Sequence, residues 1–252
     1  MDARPGWIQL FLDTPATDLD RAAAFWSAAT GWRPSPRRGE SDQFLTLLPS
    51  AGAAWVKLQA VDGPGGVHLD LDSTDRDAAL ARSRELGASD AWVYEGVPVM
   101  RSPGGLTFCH TLLADDGDDD GADGGDGPAL ARDGGTVLDQ VCLDVPWALW
   151  DVEVDFWSRM TGRELQQGSS PEFARLLAPG APRILLQRLG ERDGAVRAHP
   201  DLATADRAGD LQLHLGLGAR HEDERDHWSV LTAPGGQVYC LTDRDPATGS
   251  AG

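Results

Sequence analysis

Two histidines in this 252-residue chain each stand two residues ahead of an aspartate: His68 before Asp70, and His199 before Asp201. An imidazole and a carboxylate on one strand face can hydrogen-bond a ligand, move a proton or donate to a cation. The two pairs are 131 residues apart, and the same offset relates Gln9 to Gln140 and Cys109 to Cys240. A constant offset across several residue types marks an internal repeat. The chemistry is therefore to be sought twice, at two equivalent places.

The elements that must hold these residues follow from periodicity. Residues 66–72 alternate, with Leu69 and Leu71 on one face and His68, Asp70 and Asp72 on the other, as in a half-buried strand. Thr74 is placed to cap a helix over 75–86, which Gly87 ends. Upstream, 7–13 predicts a strand on which Gln9 and Phe11 share a face. Leu19, Ala22, Ala23, Phe25, Trp26 and Ala29 predict a helix closed by Gly31, and 44–48 and 55–59 predict two further strands. Strands are also expected at 91–94, 97–101 and 106–112, the last entered through the turn Pro103-Gly104-Gly105.

The second repeat starts at Thr136. Phe156-Trp157 and Gly162 occupy the places of Phe25-Trp26 and Gly31. Pro200 removes a ladder donor beside His199 and predicts an edge or frayed strand. Gly209 and Gly216 weaken the helix expected over 206–217.

Composition narrows the partners. The formal charge is −18, seven units of it from aspartates between residues 115 and 126, which leaves about −11 on the rest. Such a chain has no long-range attraction for nucleic acid or an anionic membrane. No run of about eighteen apolar residues suggests a membrane span, and no basic segment followed by an apolar run suggests a signal peptide. Three cysteines without a Cys-x-x-Cys pair make a disulfide scaffold unnecessary at this length. A cytoplasmic location is expected. The acidic connector opens like a calcium loop at Asp116, Asp118, Asp120 and Gly121, but its twelfth position is Gly127 rather than glutamate, so it reads as a solvated tether.

The ordered set of motifs resembles the vicinal oxygen chelate superfamily, in particular its glyoxalase-like branch. It consists of Gln9 with Asp13-x-Pro15, Ala24-Phe25-Trp26 with Gly31-Trp32, His68-Leu69-Asp70-Leu71, Leu86-Gly87-Ala88, and Ser102-Pro103-Gly104-Gly105 before Phe108-Cys109. The resemblance implies an α+β fold of tandem vicinal-oxygen-chelate domains, each of two βαβββ modules forming a cupped mixed sheet. The expected boundaries are 1–114, an acidic linker over 115–135, 136–244, and a flexible tail over 245–252. The two domains are expected to pack as an intrachain pseudo-dimer in a monomer, or the chain to form a homodimer.

In metal-dependent members, ligands come from the first strand, from the strand that opens the second module, and from the last strand. By that resemblance they fall here on Gln9, His68 and Cys109, and on Gln140, His199 and Cys240. The usual last ligand is glutamate, and cysteine replaces it twice. Asp70 and Asp201 lie on the same faces as the histidines, but strand neighbours at i and i+2 diverge, so joint ligation is expected to be strained. The expectation is therefore a small-molecule binding protein of the bleomycin-resistance type, without metal or other cofactor. Its pocket is lined by Gln9, Phe11, His68, Asp70, Cys109, Gln140, His199, Asp201 and Cys240. The alternative is a metal-dependent lyase or isomerase of the glyoxalase type, holding zinc or another divalent ion at Gln9, His68 and Cys109. Cys142 reads as plain core, and His110, His214, His221 and His227 as solvated or incidental. Trp147 and Trp150, without counterparts in the first repeat, are expected to shape a pocket or a contact. Serine-hydrolase elbow, Walker loop, dinucleotide and His-Glu-x-x-His motifs are absent from the sequence.

Overall fold

The computed structural model describes residues 4–50, 52–113, 136–168, 170–178 and 181–249. The acidic connector, with its calcium-loop fragment, and the last three residues lie outside them. In the first repeat, β1 (Trp7–Pro15), α1 (Leu19–Thr30), β2 (Arg33–Pro34), β3 (Phe44–Leu48) and β4 (Val56–Val61) form one module. The second module is β5 (Gly66–Ser73), α2 (Arg76–Glu85), β6 (Ser89–Tyr94), β7 (Val97–Arg101) and β8 (Thr107–Leu112). The second repeat runs in the same order: β9 (Val137–Val145), α3 (Trp150–Thr161), β10 (Glu164–Gln167), β11 (Phe173–Leu177) and β12 (Arg183–Arg188). Then come β13 (Arg197–Ala203), α4 (Arg207–Gly216), β14 (Arg220–Glu224), β15 (Trp228–Thr232) and β16 (Val238–Thr242). Each repeat makes one eight-stranded sheet, ordered β2-β3-β4-β1-β5-β8-β7-β6 and β10-β11-β12-β9-β13-β16-β15-β14. The architecture is α+β, with two similar pairs of βαβββ modules in mixed sheets. No helix among the described residues is long and apolar enough to cross a membrane.

Helix ends follow the expected signals, with one change. Gly31 and Gly162 close α1 and α3 in the left-handed region, at φ 71° and 64°, where glycine avoids the Cβ penalty. Asp75, not Thr74, caps α2, accepting a hydrogen bond from Ala78 N at 3.0 Å. Pro200 does not mark an edge, because β13 lies fourth from one side of its sheet. What the proline changes is the start of the ladder. The parallel β5–β8 pairing begins at Leu69↔Phe108, whereas β13–β16 begins at Asp201↔Cys240.

The chain divides into two compact units that cross the repeats. One gathers the second module of the first repeat with α3 and β10–β12. Its core sets Phe108 of β8 against Phe156 and Trp157 of α3, with ring centroids 5.8 and 5.6 Å apart. The other unit gathers α1 and β2–β4 with β13, α4 and β14–β16. There Tyr239 of β16 packs on Phe25 and Trp26 of α1, at 5.9 and 5.2 Å. Gly65 in this second unit is required by packing, since a Cβ there would lie 2.1 Å from Gly235 O. Arg244, just beyond β16, is held by paired hydrogen bonds of 2.8 and 2.7 Å to the buried Asp139.

Candidate metal centre

In the first unit, β5 presents His68, Asp70 and Asp72 on one face, and the parallel register sets Cys109 directly beside Asp70. His68, Asp70 and Cys109 each bring one ligand atom within 4.8 Å of the others. His68 Nε2 lies 3.4 Å from Asp70 Oδ1, yet that oxygen makes no hydrogen bond. Alternate residues on a strand start about 6.6 Å apart, but the imidazole spans this gap and brings its nitrogen over the carboxylate. The expected divergence at i and i+2 is thereby corrected. Donors that share a zinc-sized ion stand about 3.3–3.8 Å apart, and the 3.4 Å between His68 and Asp70 falls in that range.

Gln9 comes from β1. Its Nε2 donates to Asp72 Oδ2 at 2.6 Å, while Thr111 Oγ1 donates to Asp72 Oδ1. An ionised carboxylate only accepts, so the amide nitrogen must face Asp72. Gln9 Oε1 is buried and has no hydrogen-bond partner. Two buried oxygens, Gln9 Oε1 and Asp70 Oδ1, thus lack a donor, a costly state that a cation relieves. Burial pushes the Cys109 thiol up to about 11, against the opposing effect of its hydrogen bond with His68. A divalent ion would displace that proton, since the thiolate is the ligand form.

The second unit repeats the group with one rearrangement. His199 Nε2 is 3.2 Å from Asp201 Oδ1 and 3.5 Å from Cys240 Sγ, and the register again pairs Asp201 with Cys240. Ala203 stands in the place of Asp72, and Gln140 Nε2 donates instead to Asp201 Oδ2 at 2.6 Å. His199, Asp201, Cys240 and Gln140 are all buried.

These donor groups overturn the expectation of no metal, and with it the reading as a metal-free binder. An imidazole, a carboxylate and a thiol within 4.8 Å of one another fit a divalent ion, and the close imidazole–carboxylate pair recurs as His199 and Asp201 in the second repeat. The error lay in expecting strand divergence to keep Asp70 away from His68, when the two side chains close to 3.4 Å.

The other expected site residues fall as follows. Phe11 is buried, with Phe44 edge-on at 6.3 Å and Lys57 Nζ 5.9 Å from its ring centroid. Cys142 is buried and shares the strand face of Gln140 by alternation, and its thiol approaches Gln187 Oε1 at 3.8 Å. His110 and His214 are not solvated but fully buried. His110 Nε2 lies 2.7 Å from Ser83 Oγ, and His214 Nδ1 2.9 Å from the Tyr239 hydroxyl. Burial pushes both imidazoles down to about 4. Trp147 and Trp150, with Ala148, Asp151, Arg188 and Leu189, line a concavity of about 580 Å³. Asp72 and Thr111 are the residues that sequence reasoning left unassigned, although alternation had put Asp72 on the correct face.

Comparison with known proteins agrees with this fold. The family model described as a glyoxalase-like domain matches residues 9–111 and again 140–242. No curated protein matches. Among solved structures, a Mn(II)-bound glyoxalase from Novosphingobium aromaticivorans is similar, with a TM-score of 0.62 and 19% identity. The similarity covers 98% of this chain and 84% of that one. The 2,3-dioxygenase LapB from Pseudomonas sp. KL28 gives 0.58 and 11%, covering 95% and 91%. A homoprotocatechuate 2,3-dioxygenase variant from B. fuscum gives 0.59 and 15%, covering 99% and 75%. At these identities the structures speak for the fold alone. With both repeats matched by the same model, the chain belongs to the glyoxalase-like domain family.

Proposed function

We propose that the protein is a metal-dependent lyase or isomerase of the glyoxalase type, acting on a small molecule through a divalent ion held by His68, Asp70 and Cys109. The observation that carries this reading is the 3.4 Å approach of His68 Nε2 to an Asp70 oxygen that makes no hydrogen bond, with Cys109 beside it on β8. The similarity to a Mn(II)-bound glyoxalase supports a divalent ion. A thiolate donor favours a softer ion such as zinc over manganese. An extradiol ring cleavage calls for two imidazoles and one carboxylate, whereas each donor group here contributes a single imidazole.

When bound, the ion supplies Lewis acidity that polarises a substrate oxygen. The chain's own residues do the rest. Asp72 is committed to Gln9 and Thr111. Asp70 is therefore the carboxylate on this face with an oxygen still to share. The cytoplasm is the expected compartment, since none of the three cysteines is in a disulfide, and one chain carrying both repeats acts as a monomer.

The test is turnover of a panel of small carbonyl compounds and their thiol adducts, before and after chelation. Activity that is lost on chelation, restored by zinc and absent in His68→Ala supports the reading. Turnover insensitive to chelation would contradict it.

A further inference from the structure

The two donor groups differ at one position of their surroundings, and that position decides where a glutamine amide points. In the first repeat, Asp72 takes the amide nitrogen of Gln9, with Thr111 donating to its other oxygen. The amide is thereby tethered from the Asp72 side, and its carbonyl oxygen is left buried and without a donor. In the second repeat the residue in the place of Asp72 is Ala203, which has nothing to accept with. The threonine in the place of Thr111, Thr242, donates instead to Leu202 O at 3.1 Å. The Gln140 amide nitrogen turns to Asp201, the carboxylate that also faces His199.

We propose that Asp72 is a positioning residue that turns the Gln9 carbonyl toward His68, Asp70 and Cys109, and so makes the first repeat the tight cation site and the second a weak one. The inference rests on the metal-dependent reading above. In the first site the amide offers a cation the negative end of its dipole and makes no claim on Asp70, whose Oδ1 accepts no hydrogen bond. In the second the amide hydrogens occupy one oxygen of Asp201, so a cation must compete with them for the carboxylate and meets the positive end of the dipole. Groups that orient ligands in this way are worth about 10–100-fold in metal affinity.

The measurement is a zinc titration of chelator-stripped protein against a chromophoric chelator, with each site isolated by removing the other histidine. His199→Ala protein reports the first site, and His68→Ala protein the second. The first site is expected to bind zinc at least about 10-fold more tightly than the second. Adding Asp72→Ala to the His199→Ala protein should lower its affinity about 10–100-fold. Asp72→Asn, which keeps an oxygen to accept from Gln9, should restore most of the loss. Adding Ala203→Asp to the His68→Ala protein should tighten the second site.

Equal affinities at the two sites would overturn the inference, as would an Asp72→Ala affinity within twofold of its parent. If Asp72→Ala fails to fold, Ala203→Asp decides, and an unchanged second site then overturns it. Absence of zinc binding at both sites would refute the metal-dependent reading itself. Zinc binding at the first site that is indifferent to Asp72 would refute only the positioning role.

Discussion

His68 Nε2 stands 3.4 Å from Asp70 Oδ1, and the oxygen it approaches accepts no hydrogen bond. Two donor atoms that close can share a third partner. Asp70→Ala removes one of the three ligand atoms and is expected to lower zinc affinity by more than about 100-fold. It also removes a buried carboxylate one of whose oxygens accepts no hydrogen bond, a costly state without metal. The metal-free variant should therefore melt about 2–4 °C above the metal-free parent, and the order should reverse with zinc present. Differential scanning calorimetry with and without chelator checks both signs.

Glu153 on α3 is fully buried, accepts from Gly104 N in the turn before β8, and accepts from Trp157 Nε1 at 2.8 Å. Burial holds its carboxyl above the usual range. Glu153→Ala leaves both donors without an acceptor and should cost about 2–4 kcal/mol in urea unfolding. Glu153→Gln keeps one acceptor oxygen and gives up a charge that burial disfavours, so it should cost less than half as much.

His110 and His214 are held neutral by burial, their imidazoles pushed down to about 4 from the ordinary 6.5. As pH falls below 6.5 the unfolded chain takes up protons that the folded chain refuses. Stability is therefore full above about 6.5, declines toward 4, and gains no further slope from these groups below that. Each shift corresponds to about 3 kcal/mol at most. His214→Phe should flatten the fall in melting temperature between pH 6.5 and 4, which thermal melts across that range check.

How much of this was legible in the sequence depends on the kind of signal. Helix α1 and strands β3, β7, β11 and β12 declare themselves through apolar periodicity bounded by glycine or proline. Strand β14 does not, because all five of its residues are exposed and alternation leaves no trace on a solvated edge. The repeat singled out Gln9, His68, Cys109 and their partners 131 residues on as candidates. Two features were missed for physical reasons. Strand rise alone says that His68 and Asp70 diverge, but the reach of an imidazole along the strand undoes that. Replacement of Asp72 by Ala203 leaves both strands intact in pattern, while changing which carboxylate an amide binds. The burial of Glu153 was within reach, since it sits at helical spacing with Phe156, Trp157 and Met160.

The central claim is that this chain holds a divalent ion at His68, Asp70 and Cys109, and elemental analysis of protein purified without chelator tests it most directly. The account predicts at least one equivalent of a divalent transition metal per chain, removed by His68→Ala and retained, at least in part, in His199→Ala. A chain that carries no such metal, and takes up none when zinc is supplied, would contradict it.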